Sequence, residues 1–309
     1  MATTNFTEYE NHKTAFELSC TLEFTEGVHN ELTFLLVLNI FLSITAFLGN
    51  TLILVALQKE NSLHPPSKLL YCNLAITDLC VGIIAEPLAV TYWTAIVKER
   101  WNICHRANWA AKFAGYTLCS ASLFTLTVIS VDRLLALLLG LKYRQVVTLK
   151  RTHITVIGFW ILSIVGSSTF FWNRLVTSWY QYIGTAMCLV TTIFAYTNIF
   201  RVLRHNQIHV QNHVAQGQRR QAIPLNEARY RKAVYSALWV QVTMVVCYLP
   251  ISIVATLTPQ KGISLSVYRA WQFSVTLVYL NSSLNPLLYV WKIREVRQAV
   301  KETLRQLYC

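Results

Sequence analysis

Apolar and polar positions divide the chain into seven continuous apolar runs, at about residues 32–58, 68–95, 104–139, 152–173, 177–206, 228–257 and 265–291. Each is long enough to cross a bilayer as a helix, which takes about 20 residues at ~1.5 Å each. Short polar connectors separate them, the longest between the fifth and sixth runs. Strand-type alternation, the mark of a membrane barrel, is missing from the runs. The pattern predicts an all-α membrane protein, a seven-helix bundle over 32–291 preceded by a polar segment, 1–31. In 292–309, Val296, Ala299, Val300, Leu304 and Leu307 recur at helical spacing among basic residues. That stretch reads as an amphipathic helix lying along the membrane surface.

Composition narrows the class. The chain is 54% hydrophobic and only 13% charged, against roughly 25% charged in soluble domains. A soluble enzyme, a disordered tail and a disulfide mini-protein are excluded. The net charge of +13 does not indicate nucleic acid, because such a binder is polar as well as basic. Nineteen of the 27 Lys and Arg fall on the side of the first, third and fifth connectors and the C-terminus. The positive-inside rule therefore puts the N-terminus outside and the C-terminus in the cytoplasm of a multi-pass protein, expected at the plasma membrane. Segment 1–31 holds six of the 14 acids and no signal-peptide pattern. Its Asn5-Phe6-Thr7 sequon is an expected glycosylation site. Cys309, at the end of the amphipathic stretch, is a candidate for palmitoylation; an unmodified residue is the alternative.

Polar groups inside spans are costly and mark candidate sites. Asp78 is mid-span in the second run, with Ser122 in the third and Asn281, Ser282 and Asn285 in the seventh. A carboxylate among neutral oxygen donors can hold Na⁺; a network that merely ties helices together is the alternative. Asp132-Arg133 ends the third span, where an arginine can pair locally in one state and reach into the bundle in another. A snorkelling arginine is the alternative there. Pro250 and Pro286 kink the sixth and seventh spans.

Gly49-Asn50, Leu74 to Asp78, Asp132-Arg133, Trp160, Cys247-x-x-Pro250 and Asn285-Pro286-x-x-Tyr289 fall one per span. In that order they resemble the rhodopsin-like G-protein-coupled receptors, over roughly 32–307. The resemblance implies a ligand pocket facing outward and a heterotrimeric G protein facing inward. It implies that Arg133 is the switch arginine and that Tyr196 and Tyr289 stabilise the active state. Tyr248 takes the toggle position, and Asp78, Ser122, Asn281, Ser282 and Asn285 form the sodium pocket. No cofactor is implied beyond that allosteric ion, and retinal is excluded because Tyr279 stands where its lysine would be.

The departures are informative. Leu134 replaces the tyrosine usual after Asp-Arg, and Cys188 replaces a fifth-span proline. The position from which the family's sixth helix often supplies an acid to lock Arg133 falls near Tyr230, so that lock looks missing and measurable basal signalling is expected. The second outer loop is very short and lacks the family's bridging cysteine, a character shared with the melanocortin, cannabinoid, lysophospholipid and adenosine receptors. Cys20 and Cys104 are the two outer cysteines, so a Cys20–Cys104 bridge over the pocket is expected, with two free thiols as the alternative.

Ligand identity stays open. Glu86 and Lys112 lie within spans, and an unpaired buried charge is costly. They pair with one another, or Glu86 anchors a cationic ligand, or Lys112 with Arg269 anchors an acidic one. Tyr92, Trp93, Tyr116, Tyr248, Phe273 and Tyr279 would supply the walls. A seven-helix transporter or channel is the second reading, disfavoured by the few charges within spans and the lack of an inverted repeat. No catalytic motif such as HExxH appears, so an enzyme is not expected.

Overall fold

The computed structural model describes residue 20 and residues 26–59, 63–215, 239, 242–256, 264–292, 297–298, 300–301 and 305. Among these, every predicted span is represented by a helix and no strand occurs. The helices are α1 (His29–Lys59), α2 (Pro65–Val97), α3 (Trp101–Leu139), α4 (Leu149–Ser168), α5 (Arg174–Ala215), α6 (Val242–Thr256) and α7 (Leu265–Lys292). The first five are long and apolar enough to span a bilayer by length and composition.

Their packing is that of a protein whose outer surface meets lipid. On α1, Leu32, Leu35, Asn39, Leu42, Ala46, Asn50 and Ile53 recur every three or four residues and are buried. Phe34, Val37, Phe41, Ile44 and Leu48 on its other faces are exposed, an apolar surface too large to leave in water. With lipid as apolar as leucine, helices associate through close packing and hydrogen bonds. Asn39 Nδ2 donates to Thr276 Oγ1 (3.0 Å) and Asn50 Nδ2 to the Ser282 carbonyl (3.1 Å), tying α1 to α7. Trp160 Nε1 donates to Asn73 Oδ1 (3.0 Å), whose Nδ2 donates to Thr125 Oγ1 (2.8 Å), tying α4, α2 and α3.

One irregularity matters for the site. Residues Val81–Ala85 of α2 form a π turn just before Pro87. Proline there has no N–H and its ring crowds the carbonyl four residues back, so a wider turn relieves the clash. Ser43 Oγ donates to the Gly82 carbonyl (2.7 Å). Glycine at 82 permits the close approach of α1: a Cβ there would lie a tight 3.0–3.2 Å from Ala46 Cβ, the Ser43 carbonyl and Phe47 N.

At one end of the bundle, Cys20 and Cys104 are joined in a disulfide with Cα atoms 6.1 Å apart, the pairing expected from the sequence. Arg269 donates to the Gly27 carbonyl and lies 3.3 Å from Glu31, holding the start of α1 against α7. At the other end, Gly140 stops α3 with φ +50°, a conformation open to glycine. Val300 is buried with Ile53, Leu57 and Leu70, while Arg297 and Lys301 are exposed. Asn5, Tyr230 and Cys309, and the side chain of Tyr289, lie outside the described residues.

Candidate functional site

A cavity of about 380 Å³ opens among α2, α3, α5, α6 and α7 at the Cys104 end, within the range usual for small-molecule sites. Lys112, Tyr116, Tyr248 and Tyr279 line it as the sequence predicts, together with Tyr92 and Trp93. Phe170, from the short turn after α4, is buried against it, and Lys112 Nζ lies 6.0 Å from its ring centroid. Trp93 Nε1 donates to Gln272 Oε1 (3.1 Å) and the Tyr92 and Tyr268 hydroxyls are 3.0 Å apart, bracing the α2–α7 wall. Tyr248 is buried on α6 two residues before Pro250, and its hydroxyl donates to the Cys119 carbonyl of α3 (3.2 Å).

Two expected pocket residues are elsewhere. Glu86 is completely buried but does not line the cavity, and neither carboxyl oxygen has a partner among the described residues. It therefore does not pair with Lys112. The cause is the π turn: its extra residue sets the rest of α2 back by roughly 100°, bringing Glu86 round to the interior face that Asp78 occupies, within its electrostatic reach. Phe273 is 41% exposed and lies beside Val28 and Arg269, outside the cavity. The α7 wall is instead Tyr268, Gln272, Val275 and Tyr279. That i, i+4, i+7, i+11 spacing was legible from Tyr279 and puts Phe273 one residue off the face. Gln181 of α5 also lines the cavity, with its Nε2 unpartnered, and nothing in the sequence distinguished it.

Beyond the cavity floor, Asp78 is fully buried. Its Oδ1 accepts from Ser122 Oγ (3.0 Å) and Ser282 Oγ (2.9 Å), and its Oδ2 from Asn285 Nδ2 (2.7 Å). Asn281 is also fully buried, and neither of its amide atoms has a partner among the described residues, nor has Asn285 Oδ1. All five residues of the expected cation pocket thus lie in the buried interior, with three of them bonded to Asp78. Pro286 packs so close to Gly49 that a Cβ there would be 3.0 Å from its ring.

Farther along α3, Arg133 is clamped. Its guanidinium pairs with Asp132 (Nε to Oδ2 3.1 Å) and donates from Nη2 to Ser67 Oγ of α2 (2.6 Å). Ser67 in turn donates to Asp132 Oδ2 (3.1 Å), and Tyr143, from the turn after α3, donates to Asp132 Oδ1 (2.6 Å). His64, before α2, packs against Tyr143 in a tilted arrangement with ring centroids 5.1 Å apart; burial holds its imidazole below the ordinary range, outweighing the upward pull of Asp132. Tyr196 is buried on α5 against Leu134 and Ile199.

The model of the seven-transmembrane receptor (rhodopsin) family matches residues 49–188 and 167–289, spanning most of the chain. The chain belongs to that family. The receptor is accordingly a multi-pass membrane protein, and its remaining two spans are α6 and α7. The matched region contains the cavity, the Asp78 cluster and the Arg133 clamp. Cys20, which closes the Cys104 end, lies before it.

Proposed function

We propose that the receptor binds an extracellular ligand in the cavity and activates a heterotrimeric G protein at the Arg133 end. The observation that supports this most is the arrangement in series along α3 of a walled cavity, a buried carboxylate cluster and a clamped arginine. Lys112 and Arg133 are ~30 Å apart by helical rise. Ligand contact with Tyr248 acts on α6 two residues from Pro250, where the helix lacks a backbone donor and can bend. Swinging α6 outward exposes the end of α3, and Arg133 exchanges Asp132 and Ser67 for the partner protein. This is a two-state element of the kind receptors switch by. The cavity end faces outward at the plasma membrane, in the compartment that permits the Cys20–Cys104 bridge, and the Arg133 end faces the cytoplasm.

The clamp gives a test with a definite sign. Ser67→Ala removes two hydrogen bonds to charged groups, one from Arg133 and one to Asp132, each worth about tenfold or more. Ligand-independent nucleotide exchange on purified G protein should rise several-fold above wild type. An unchanged or lower rate would contradict the assigned role of the clamp.

We also propose that Na⁺ binds at Asp78. The Asp78 carboxylate, together with the buried amide oxygens of Asn281 and Asn285 that have no partner among the described residues, offers the oxygen ligands a small hard cation needs. The ion would hold α2, α3 and α7 together in the resting state. Purified receptor should melt at higher temperature in NaCl than in equal KCl, and Asp78→Asn should abolish the difference. A sodium effect that survives Asp78→Asn would refute the site.

A further inference from the structure

We infer that Glu86 is a proton-binding site, and that the resting bundle carries one H⁺ on its carboxyl. The site lies apart from the cavity wall and from the hydrogen bonds around Asp78, and it does not depend on G-protein coupling. Glu86 is completely buried, and neither Oε1 nor Oε2 has a partner among the described residues. An ionised carboxylate there would have given up its hydration with nothing in return. That is the circumstance in which a buried acid takes up a proton.

The groups around it do not supply a counter-charge. On α2 the other acid is Asp78, whose field reaches Glu86 and opposes a second negative charge. From α3 and α7 the titratable groups within electrostatic reach are Cys119 and Tyr279, neither of which can become a cation. Between Glu31 and Lys59, α1 holds no titratable side chain. The two acids also differ in what they accept. Asp78 takes hydrogen bonds from Ser122, Ser282 and Asn285, which favour its ionised form, whereas Glu86 takes none. Of the pair, Glu86 therefore holds the proton. The pairing of α1 with α2 places an acceptor nearby. Ser43 bonds the Gly82 carbonyl, so one turn farther along each antiparallel helix Asn39 and Glu86 stand at the same level. Asn39 commits its Nδ2 to Leu35 and Thr276 and leaves Oδ1 without a partner among the described residues. The two oxygens of Glu86 and that of Asn39 are all buried acceptors short of a hydrogen, and a proton is the smallest group that meets the need.

Infrared absorption of the purified full-length receptor at neutral pH tests this directly, because a protonated carboxyl has a C=O stretch well separated from that of a carboxylate. Wild type should show the protonated band, Glu86→Gln should lack it, and Asp78→Asn should keep it. Heavy-carbon labelling of glutamate side chains in wild type should move the band, and labelling of aspartate should not; this arm needs no variant to fold. Stability gives a second readout. Above the ordinary carboxyl range the unfolded chain releases this proton while the folded bundle keeps it, so stability falls as pH rises. The melting temperature of Glu86→Gln, which has no proton to lose, should gain on wild type as the buffer is made more alkaline, by up to about tenfold in the folding equilibrium per pH unit. No protonated band in wild type, a band that persists in Glu86→Gln, or a band moved by aspartate labelling would overturn the inference. So would a melting difference between Glu86→Gln and wild type that does not change with pH.

Discussion

Replacing Cys20 or Cys104 by Ser is expected to lower thermal stability and surface expression to the same extent, with the double variant no worse than either single one. The bridge closes a loop with a sequence separation of 84. In the chain-entropy account such a loop contributes about 4–5 kcal/mol, and removing a native bridge costs about 2–5 kcal/mol. Both sulfurs are buried, with Cys104 fully inaccessible and packed among Val28, Leu32, Trp93 and Ile96. A serine there would leave a hydroxyl without a partner, adding to the loss. The bridge joins Cys20 to α3 at the end of the bundle where the cavity lies. Melting temperatures of the two single variants and the double variant form a double-mutant cycle. A Cys104 variant much worse than the Cys20 variant would contradict a bond shared between them.

Arg133→Ala is expected to reduce G-protein activation to background while leaving the cavity intact. The guanidinium uses two nitrogens at once, Nε toward Asp132 and Nη2 toward Asp132 and Ser67. A planar fork is required for that, so Arg133→Lys should also lose most of the signal even though the charge is kept. The position is ~30 Å from Lys112 along α3, so ligand-induced thermal shifts should be unchanged. Coupling within a few-fold of wild type in Arg133→Ala would remove the arginine from the mechanism. Ser67→Ala acts on the same clamp with the opposite sign, so the pair separates a broken switch from a poorly folded receptor.

Much of this architecture is local and was legible from the sequence. Seven apolar runs became seven helices because backbone donors in a bilayer must be satisfied within the segment. Asp78 and its neighbours were visible because polar groups in an apolar run stand out. What escaped depends on contacts between helices. The π turn at Val81–Ala85 answers a proline and the close approach of α1 at Gly82, and it alone moved Glu86 off the cavity wall. Phe273 was misplaced because its aromatic character was weighed without its helical register. The partners of Arg133 were hidden for another reason. Ser67 and Tyr143 lie at the borders of ordinary polar connectors, and the contacts they make cross from α2 and the turn after α3.

The central claim is that this bundle exchanges nucleotide on a G protein through Arg133. The most direct measurement is GTP-analogue uptake by purified heterotrimers of each class, mixed with wild-type or Arg133→Ala receptor in nanodiscs. The account predicts uptake above the Arg133→Ala level with at least one class. Equal uptake by wild type and Arg133→Ala across every class would contradict it.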